Sequence, residues 1–182
     1  MPRKTEGQNG RNGQRKRRLK QPDDLPPSVS ATRPTLIVIG GREDKIGDAL
    51  ILREVARHVG TGKIVVTDVA SSDPDGLFEE YEEVFHKLGI RNVAHLKVHS
   101  REDASNPAVL KVLEGANAVF FTGGDQLKIT SQIGGTPVFD RMREIYHGGG
   151  VIAGTSAGAS VVCGTMLTAG SGQTSPRLGE SV

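Results

Sequence analysis

The fold is decided by the stretch Gly150–Ala159, which reads GVIAGTSAGA. Three apolar residues, Val151–Ala153, predict a short buried strand, and Ala159–Val162 predict the start of an apolar helix. Between them Gly154–Gly158 matches the pattern Gly-x-Ser-x-Gly, which in hydrolases places a serine on a sharp turn between a strand and a helix. The stretch therefore predicts strand, turn and helix in that order, with Ser156 at the turn.

The small residues around Ser156 have a steric reason. A serine held in a strained turn needs neighbours without bulk, so that its Oγ points outward and the N–H of Ala157 can face an oxyanion. The N-terminus of the following helix adds partial positive charge at the same place. An ordinary Gly/Ser turn of an α/β protein gives the same five residues, so the pattern alone leaves both interpretations open.

Upstream of this stretch, short apolar runs alternate with helical patterns from Thr35 onward. Four further strands are predicted, at Leu36–Ile39, Lys63–Thr67, Val93–Leu96 and Ala118–Phe121. The predicted helices are Asp48–Val59, Leu77–Leu88, Pro107–Glu114 with Asn106 as its cap, and one from Thr136 and Pro137 to about Tyr146. The apolar residues expected on or near one face of the first helix are Leu50, Ile51, Val55 and Val59. Such alternation gives right-handed β-α-β units, so we predict an α/β fold with a doubly wound, mostly parallel sheet.

Polar or glycine-rich segments follow three of the predicted strands at their carboxyl ends. Gly40–Glu43 follows the first strand, Gly123–Gln126 follows the fourth, and Ser156 follows the fifth. In a parallel sheet the carboxyl ends share one edge, and ligands bind in the crevice beyond it. We therefore expect these three segments to meet in space.

Charge is unevenly distributed along the chain. Residues 1–34 contain nine Lys and Arg residues against three acidic ones, a net charge of +6, so residues 35–182 carry −4. The basic segment lacks apolar periodicity and is predicted to be a disordered tail, while residues 35–182 are predicted to form one α/β domain. Because the sequence pI of 8.8 reflects the tail, we expect no nucleic-acid partner.

We expect a soluble, cytoplasmic protein with neither a cofactor nor a metal. No apolar run follows the basic residues of the tail, as a signal peptide requires, and none approaches the roughly 18 apolar residues of a membrane span. Cys163 is the only cysteine, which excludes an internal disulfide and a cysteine cluster for zinc.

The segments expected at the ligand edge resemble those of the cyanophycinases, which belong to a serine peptidase family that also includes the aspartyl dipeptidases. The resemblance extends from about Leu36 to Val182, and it implies that residues 35–182 form the N-terminal part of a serine-peptidase α/β domain. It is carried by four motifs, Ile39–Lys45 (IGGREDK), Phe120–Gln126 (FFTGGDQ), Gly154–Ala159 (GTSAGA) and Ser175–Arg177 (SPR). The fold of that family resembles class I glutamine amidotransferases, in agreement with the predicted doubly wound sheet.

This resemblance implies a serine exopeptidase that hydrolyses cyanophycin, a polyaspartate with arginine on its side-chain carboxyls, to β-aspartyl-arginine dipeptides. Ser156 would be the nucleophile and form an acyl-enzyme. The N–H groups of Ala157 and of the Gly123–Gly124 turn would form the oxyanion hole. Gln126 and Asp125 would bind the substrate, cyanophycin or another β-aspartyl peptide. A related dipeptidase of the same fold is the close alternative.

A serine hydroxyl needs a base, and histidine is the usual one. All five histidines precede Ser156: His58, His86, His95, His99 and His147. His147 is predicted at the opposite end of the sheet, and nothing aims His95 or His99 at the serine. The family's histidine follows the nucleophile in an Asp-Gln-His-Phe segment that the 182 residues lack. The competing interpretation is therefore a C-terminally truncated, inactive homologue whose exposed sheet edge favours a homodimer or other self-association.

Deletion of residues 1–33 is expected to leave the thermal unfolding midpoint unchanged, because the predicted tail buries no apolar surface. Circular dichroism melts of the two chains test this. A fall of more than about 4 °C, which corresponds to roughly 1 kcal/mol for a domain of this size, would show that the tail packs on the fold.

Overall fold

The computed structural model describes residues 33–169 and 177–180. The strands are β1 Thr35–Ile39, β2 Lys63–Thr67, β3 Asn92–His95, β4 Ala116–Phe121, β5 Val151–Thr155, β6 Thr165–Ala169 and β7 Arg177–Glu180. The helices are α1 Leu50–Val59, α2 Leu77–Lys87, α3 Pro107–Val112, α4 Gln126–Ile133, α5 Pro137–His147 and α6 Ala157–Ser160, with a 3-10 turn at Asp103–Ser105. Residues 1–32 of the predicted tail, and Ser175 and Pro176 of the SPR motif, lie outside the described residues.

The five strands β1 to β5 form one parallel sheet in the order β1-β5-β4-β2-β3, which confirms the predicted doubly wound α/β fold. The chain moves toward one edge from β1 to β2 and β3, and then returns through β4 to β5. Because crossovers between parallel strands are right-handed, this reversal places α1 and α2 on one face and α3, α4 and α5 on the other. The strand β5 consequently lies inside the sheet, between β1 and β4.

Each face of the sheet has its own apolar core. On one face α1 and α2 bury side chains such as Leu52 and Phe85 against Phe120 of β4. On the other face α4 and α5 bury Ile129 and Met142 among side chains of the sheet. Since both faces are covered, all five residues of β5 are buried. No helix of the described residues is long and apolar enough to cross a membrane.

Helix α1 corrects one part of the predicted core. Leu50 and Ile51 are exposed, whereas the buried side chains are Leu52, Val55, Ala56 and Val59. The helix begins two residues later than predicted, because Ala49 adopts a left-handed conformation with φ of 44°. The buried stripe has the helical spacing i, i+3, i+4 and i+7 counted from Leu52, and the first two helical residues fall outside it.

Other elements were not predicted. The antiparallel pair β6–β7 and the 3-10 turn lack a clear pattern, and α4 is weak in sequence because Ile129 and Thr130 are β-branched. Its recognisable signal is Asp125, whose side chain accepts a hydrogen bond from the N–H of Leu127 and caps the helix. Helix α6 ends at Ser160, so the predicted continuation to Val162 is wrong. Val161 and Val162 follow the end of the helix, and valine has a low helix propensity.

Within the described residues, β1 is an edge strand with an apolar outer face. Ile39 is buried, but Leu36 and Val38, which alternate with it on the other face, are 43% and 57% exposed. Leu36 also lines a cavity of about 520 Å³ together with Ile152 and Met142. Unpaired backbone groups beside exposed apolar side chains favour pairing with another chain.

The purified 182-residue chain is expected to self-associate through this edge, and Leu36→Lys/Val38→Lys is expected to reduce the association because charge on an edge strand opposes pairing. Sizing chromatography with light scattering measures the mass. Leu127→Lys is the matched control, since Leu127 is 45% exposed but lies on α4. A monodisperse monomer of the unchanged sequence would contradict this expectation.

Candidate functional site

Ser156 lies directly after β5, at the carboxyl end of the sheet, and its side chain is exposed. Its φ of 53° and ψ of −109° belong to a conformation that residues other than glycine rarely adopt. Such a conformation costs of order 1–3 kcal/mol and persists only where the surroundings impose it. The contacts around Ser156 therefore have to supply this energy.

Backbone hydrogen bonds hold the turn on both sides. The N–H of Ser156 donates to the carbonyl of Ile39 at 2.9 Å, which fixes the turn to the end of β1. The carbonyl of Ser156 accepts the N–H groups of Ala159 and Ser160, both at 3.0 Å, which starts helix α6. The serine is thereby clamped between a neighbouring strand and the helix that follows it.

The two glycines of the Gly-x-Ser-x-Gly pattern allow the backbones to approach. A Cβ at Gly154 would lie 2.2 Å from the carbonyl oxygen of Gly158, and a Cβ at Gly158 would lie 2.5 Å from that of Phe121. Both distances are far below van der Waals contact with backbone atoms that cannot move independently. Any larger residue at either position would force α6 away from the sheet and displace Ser156.

The two glycine loops predicted near Ser156 do meet it. A Cβ at Gly41, after β1, and one at Gly123, after β4, would each lie 3.4 Å from the Cβ of Ser156. The serine side chain therefore emerges between two loops that have no side chains of their own at the contact. This leaves the space above Oγ open to a ligand.

The Gly123–Gly124 turn is itself rigidly held. The N–H of Thr122 donates to the carbonyl of Thr67 at 3.0 Å, and that of Asp125 donates to the carbonyl of Ala70 at 2.8 Å. Gly124 has φ of 147°, and a Cβ there would lie 2.0 Å from the same Ala70 oxygen. The turn thus packs directly on the loop that follows β2, and only glycine fits.

The amides available for an oxyanion follow from these bonds. The N–H of Ser156 donates to the carbonyl of Ile39, so the next amide along the chain that can face a ligand is that of Ala157. Among the described residues, no backbone carbonyl accepts from Ala157 or from the Gly123–Gly124 turn. Their role in an oxyanion hole stays a prediction.

Asp125 and Gln126, the predicted substrate-binding residues, stand at the start of α4. The Oδ1 of Asp125 accepts the N–H of Leu127 at 2.8 Å, so this carboxylate caps the helix. The Nε2 of Gln126 donates to the carbonyl of Leu167 at 2.8 Å, which ties α4 to β6. Both side chains thus have structural contacts, and substrate binding by them stays a prediction.

His95, one of the two histidines near the correct edge of the sheet, is committed elsewhere. Its Nε2 lies 2.9 Å from Oδ2 of Asp68, and its ring stacks on Phe78 at 4.2 Å between centroids. It belongs to β3, three strand positions from β5, which corresponds to a lateral separation of roughly 14 Å. His95 is therefore not aimed at Ser156.

The other four histidines have other partners or positions. His147 is exposed at the end of α5, before β5 begins and thus at the opposite end of that strand, as predicted. His58 contacts Glu54 in helix α1, and His86 contacts the carbonyl of Ile90 beyond helix α2. The exposed His99 follows β3. In the described part of the chain, no histidine contacts Ser156.

Glu43 is a site residue to which sequence reasoning assigned no role. Its carboxylate accepts hydrogen bonds from the hydroxyl of Tyr81 and, at 2.5 Å, from Oγ1 of Thr155, the residue before Ser156. Burial, reinforced by the hydrogen bond to Glu43, raises the pKa of Tyr81 far above its ordinary value. The partners are 38 and 112 residues away in sequence, so no local pattern reveals the contact.

Comparison of the sequence with known proteins gives one family and several relatives. Residues 36–179 match the model of Peptidase family S51. A cyanophycinase of Trichormus variabilis (strain ATCC 29413 / PCC 7937) is 37% identical over 151 residues, which cover 81% of this chain and 51% of that protein. A cyanophycinase of Synechococcus elongatus is 32% identical over 150 residues, covering 81% and 47%. The chain therefore spans about half the length of the curated relatives it matches.

Among solved structures, a peptidase from an acI-B1 Actinobacterium is similar in fold. The TM-score is 0.57 at 22% sequence identity, and the match covers 72% of this chain and 57% of that chain. At this level of identity the similarity concerns the fold alone. It agrees with the doubly wound sheet described above.

Gly154→Ala and Gly158→Ala are each expected to lower the free energy of unfolding by about 2–3 kcal/mol or more, because their methyl groups collide with backbone atoms. Urea unfolding measures the change. Gly164→Ala is the control: nothing lies within 4 Å of its Cβ position, and we expect no loss of stability there. Equal stability of the Gly154→Ala and Gly164→Ala chains would show that the close approach of α6 to β5 is wrong.

Proposed function

We propose a serine peptidase function from one premise, that the chain belongs to peptidase family S51. The observation that carries the proposal is Ser156 itself: an exposed serine in a strained conformation, at the carboxyl end of a buried strand and between two glycine loops. In a turn with only a connecting role, such strain costs stability and brings no benefit. A nucleophile benefits from it, because the conformation presents Oγ to the substrate.

In the proposed reaction Oγ of Ser156 attacks the carbonyl carbon of a substrate amide and gives its proton to a base. The C–N bond then breaks, the amine leaves with that proton, and an acyl-enzyme ester remains. Water attacks the ester, releases the new carboxylate and restores the hydroxyl. Amides of Ala157 and the Gly123–Gly124 turn would bind the oxyanion of each tetrahedral intermediate, and one such donor is typically worth about 10²–10³ in kcat.

The proposed substrate is cyanophycin, cleaved to β-aspartyl-arginine, in keeping with the names of the relatives. Gln126 is a suitable contact for a peptide group because its amide both donates and accepts hydrogen bonds, and Asp125 can accept from a cationic group. A dipeptidase acting on a β-aspartyl peptide would use the same residues. Product analysis distinguishes the two, since only the first releases dipeptides from the polymer.

The second candidate is a catalytically inactive homologue, and the positions of the histidines favour it. His95 is paired with Asp68 three strands from β5, and His147 lies at the opposite end of that strand. We therefore propose that, in the 182-residue chain by itself, no histidine is positioned to act as a base for Ser156. Loss of the histidine alone costs a serine peptidase about 10⁶ in kcat.

The 182-residue chain is accordingly expected to release no more β-aspartyl-arginine from cyanophycin than Ser156→Ala does. Chromatography of the soluble products with mass detection measures this. Release that disappears in Ser156→Ala would overturn the second candidate and establish that a base is supplied within these residues.

The nucleophile is tested separately with a fluorophosphonate probe and peptide mass spectrometry. Slow modification of Ser156 is expected, with a rate that rises with pH because hydroxide must remove the proton. Labelling elsewhere, unchanged in Ser156→Ala, would contradict the assignment of Ser156.

A further inference from the structure

We propose that Glu43 is a positioning residue, whose carboxylate holds Ser156 in its strained conformation by gripping Thr155. The inference rests on the proposed role of Ser156 as nucleophile. It assigns a function to the acidic residue of the loop after β1, which touches the turn but not the reacting atom.

Each oxygen of the Glu43 carboxylate accepts a hydrogen bond from a hydroxyl group. Oε2 accepts from Oγ1 of Thr155 at 2.5 Å, and Oε1 accepts from the hydroxyl of Tyr81. Thr155 is only 3% exposed, so water cannot readily replace the carboxylate as the acceptor of its hydroxyl proton. Hydrogen bonds to an ionised acceptor are also roughly twice as strong as those between neutral groups. The bond to Thr155 is therefore difficult to substitute.

The loop that carries Glu43 grips two consecutive residues of the turn. The carbonyl of Ile39 holds the N–H of Ser156, and Gly41 packs against the Cβ of the same residue. Gly41 and Arg42 both have positive φ, 104° and 55°, which turns the chain so that Glu43 lies over Thr155. This segment thus binds the backbone N–H of Ser156 and the side-chain hydroxyl of Thr155.

On its other side the carboxylate is fixed to the core. Tyr81 is 2% exposed and packs on Phe120 of β4 at 5.0 Å between ring centroids. The Nζ of Lys45 also lies over the Tyr81 ring, 4.2 Å from its centroid. A side chain held in this way cannot follow a movement of the turn, so Glu43 connects Thr155 to a rigid support.

This arrangement couples Glu43 to the strain at Ser156. Without the carboxylate, Thr155 would lose the acceptor that fixes its orientation, and the peptide between residues 155 and 156 could rotate toward an ordinary conformation. Glycine at position 156 removes the strain directly, because it adopts positive φ at little cost. The stability gained from Ser156→Gly therefore reports how much strain the surroundings impose.

The experiment is a double-mutant cycle measured by urea unfolding, at concentrations over which the midpoint does not change. In the otherwise unchanged chain, Ser156→Gly is expected to raise the folding equilibrium constant about fivefold. This gain is the relief of backbone strain, reduced by the entropy that the more flexible glycine loses on folding. In a Glu43→Leu chain the gain is expected to fall below about twofold, because leucine has no acceptor for the hydroxyl proton of Thr155.

Asp44→Asn is the matched control. Asp44 is the neighbouring acidic residue in the same loop, but its carboxylate accepts only amides of that loop, among them those of Ile46 and Gly47 at 2.9 and 2.7 Å. The full gain from Ser156→Gly is expected in this background. If Glu43→Leu does not fold, Thr155→Val replaces it, since valine keeps the shape of threonine and removes the hydroxyl that donates to Glu43.

Equal gains in all three backgrounds would overturn the proposal, because a carboxylate that merely stabilises the fold adds independently of Ser156. Absence of any gain from Ser156→Gly would overturn it as well, since no strain would then exist to be held. Neither measurement requires catalysis, so failure of the proposed function, seen as absence of Ser156 labelling, is distinguishable from failure of this inference.

Discussion

The hydrogen bond from the N–H of Ser156 to the carbonyl of Ile39 is the constraint on which the rest of the site depends. It joins the residue after β5 to the last residue of β1, although the two are far apart in sequence. Because this amide is turned toward β1, the serine adopts positive φ and its Oγ points out of the sheet. The same turn leaves the amide of Ala157 as the first that can face a bound carbonyl. This backbone bond and the hydrogen bond from Thr155 to Glu43 thus act on consecutive residues of the turn.

Close backbone packing makes this bond possible. Gly154, Gly158 and Gly124 lie where any Cβ would collide with backbone atoms, so strands, loops and helix α6 approach more closely than side chains would permit. The doubly wound order places β5 inside the sheet, with loops from both neighbouring strands beside its end. Rigid packing of this kind lets the fold maintain a conformation that costs free energy at Ser156.

The sequence predicts those features that depend on the periodicity of apolar residues and on local residue patterns. The buried strand β5 follows an apolar run, Asn106 and Thr136 mark helix starts, and alternation of strands and helices implies the doubly wound sheet, all as observed. The apolar run of β1 also predicts a fully buried strand, and this is wrong, because β1 lies at the sheet edge with Leu36 and Val38 exposed. Sequence-based prediction fails where tertiary contacts determine the local conformation or the partners of a side chain. The left-handed Ala49 shifts the start of α1, and the carboxylate of Glu43 finds its partners on a distant helix and strand. Periodicity contains no information on such contacts.

We propose that the turn presents Ser156 as a nucleophile beside preformed amide donors. The most direct test is a crystal structure of the chain after treatment with a small phosphonylating reagent. We expect a phosphonyl group on Oγ of Ser156, with one oxygen about 2.7–3.1 Å from the amide nitrogen of Ala157 and of a residue in the Gly123–Gly124 turn. A phosphonyl oxygen that faces solvent, or a reagent bound to another side chain while Ser156 stays unmodified, would contradict it.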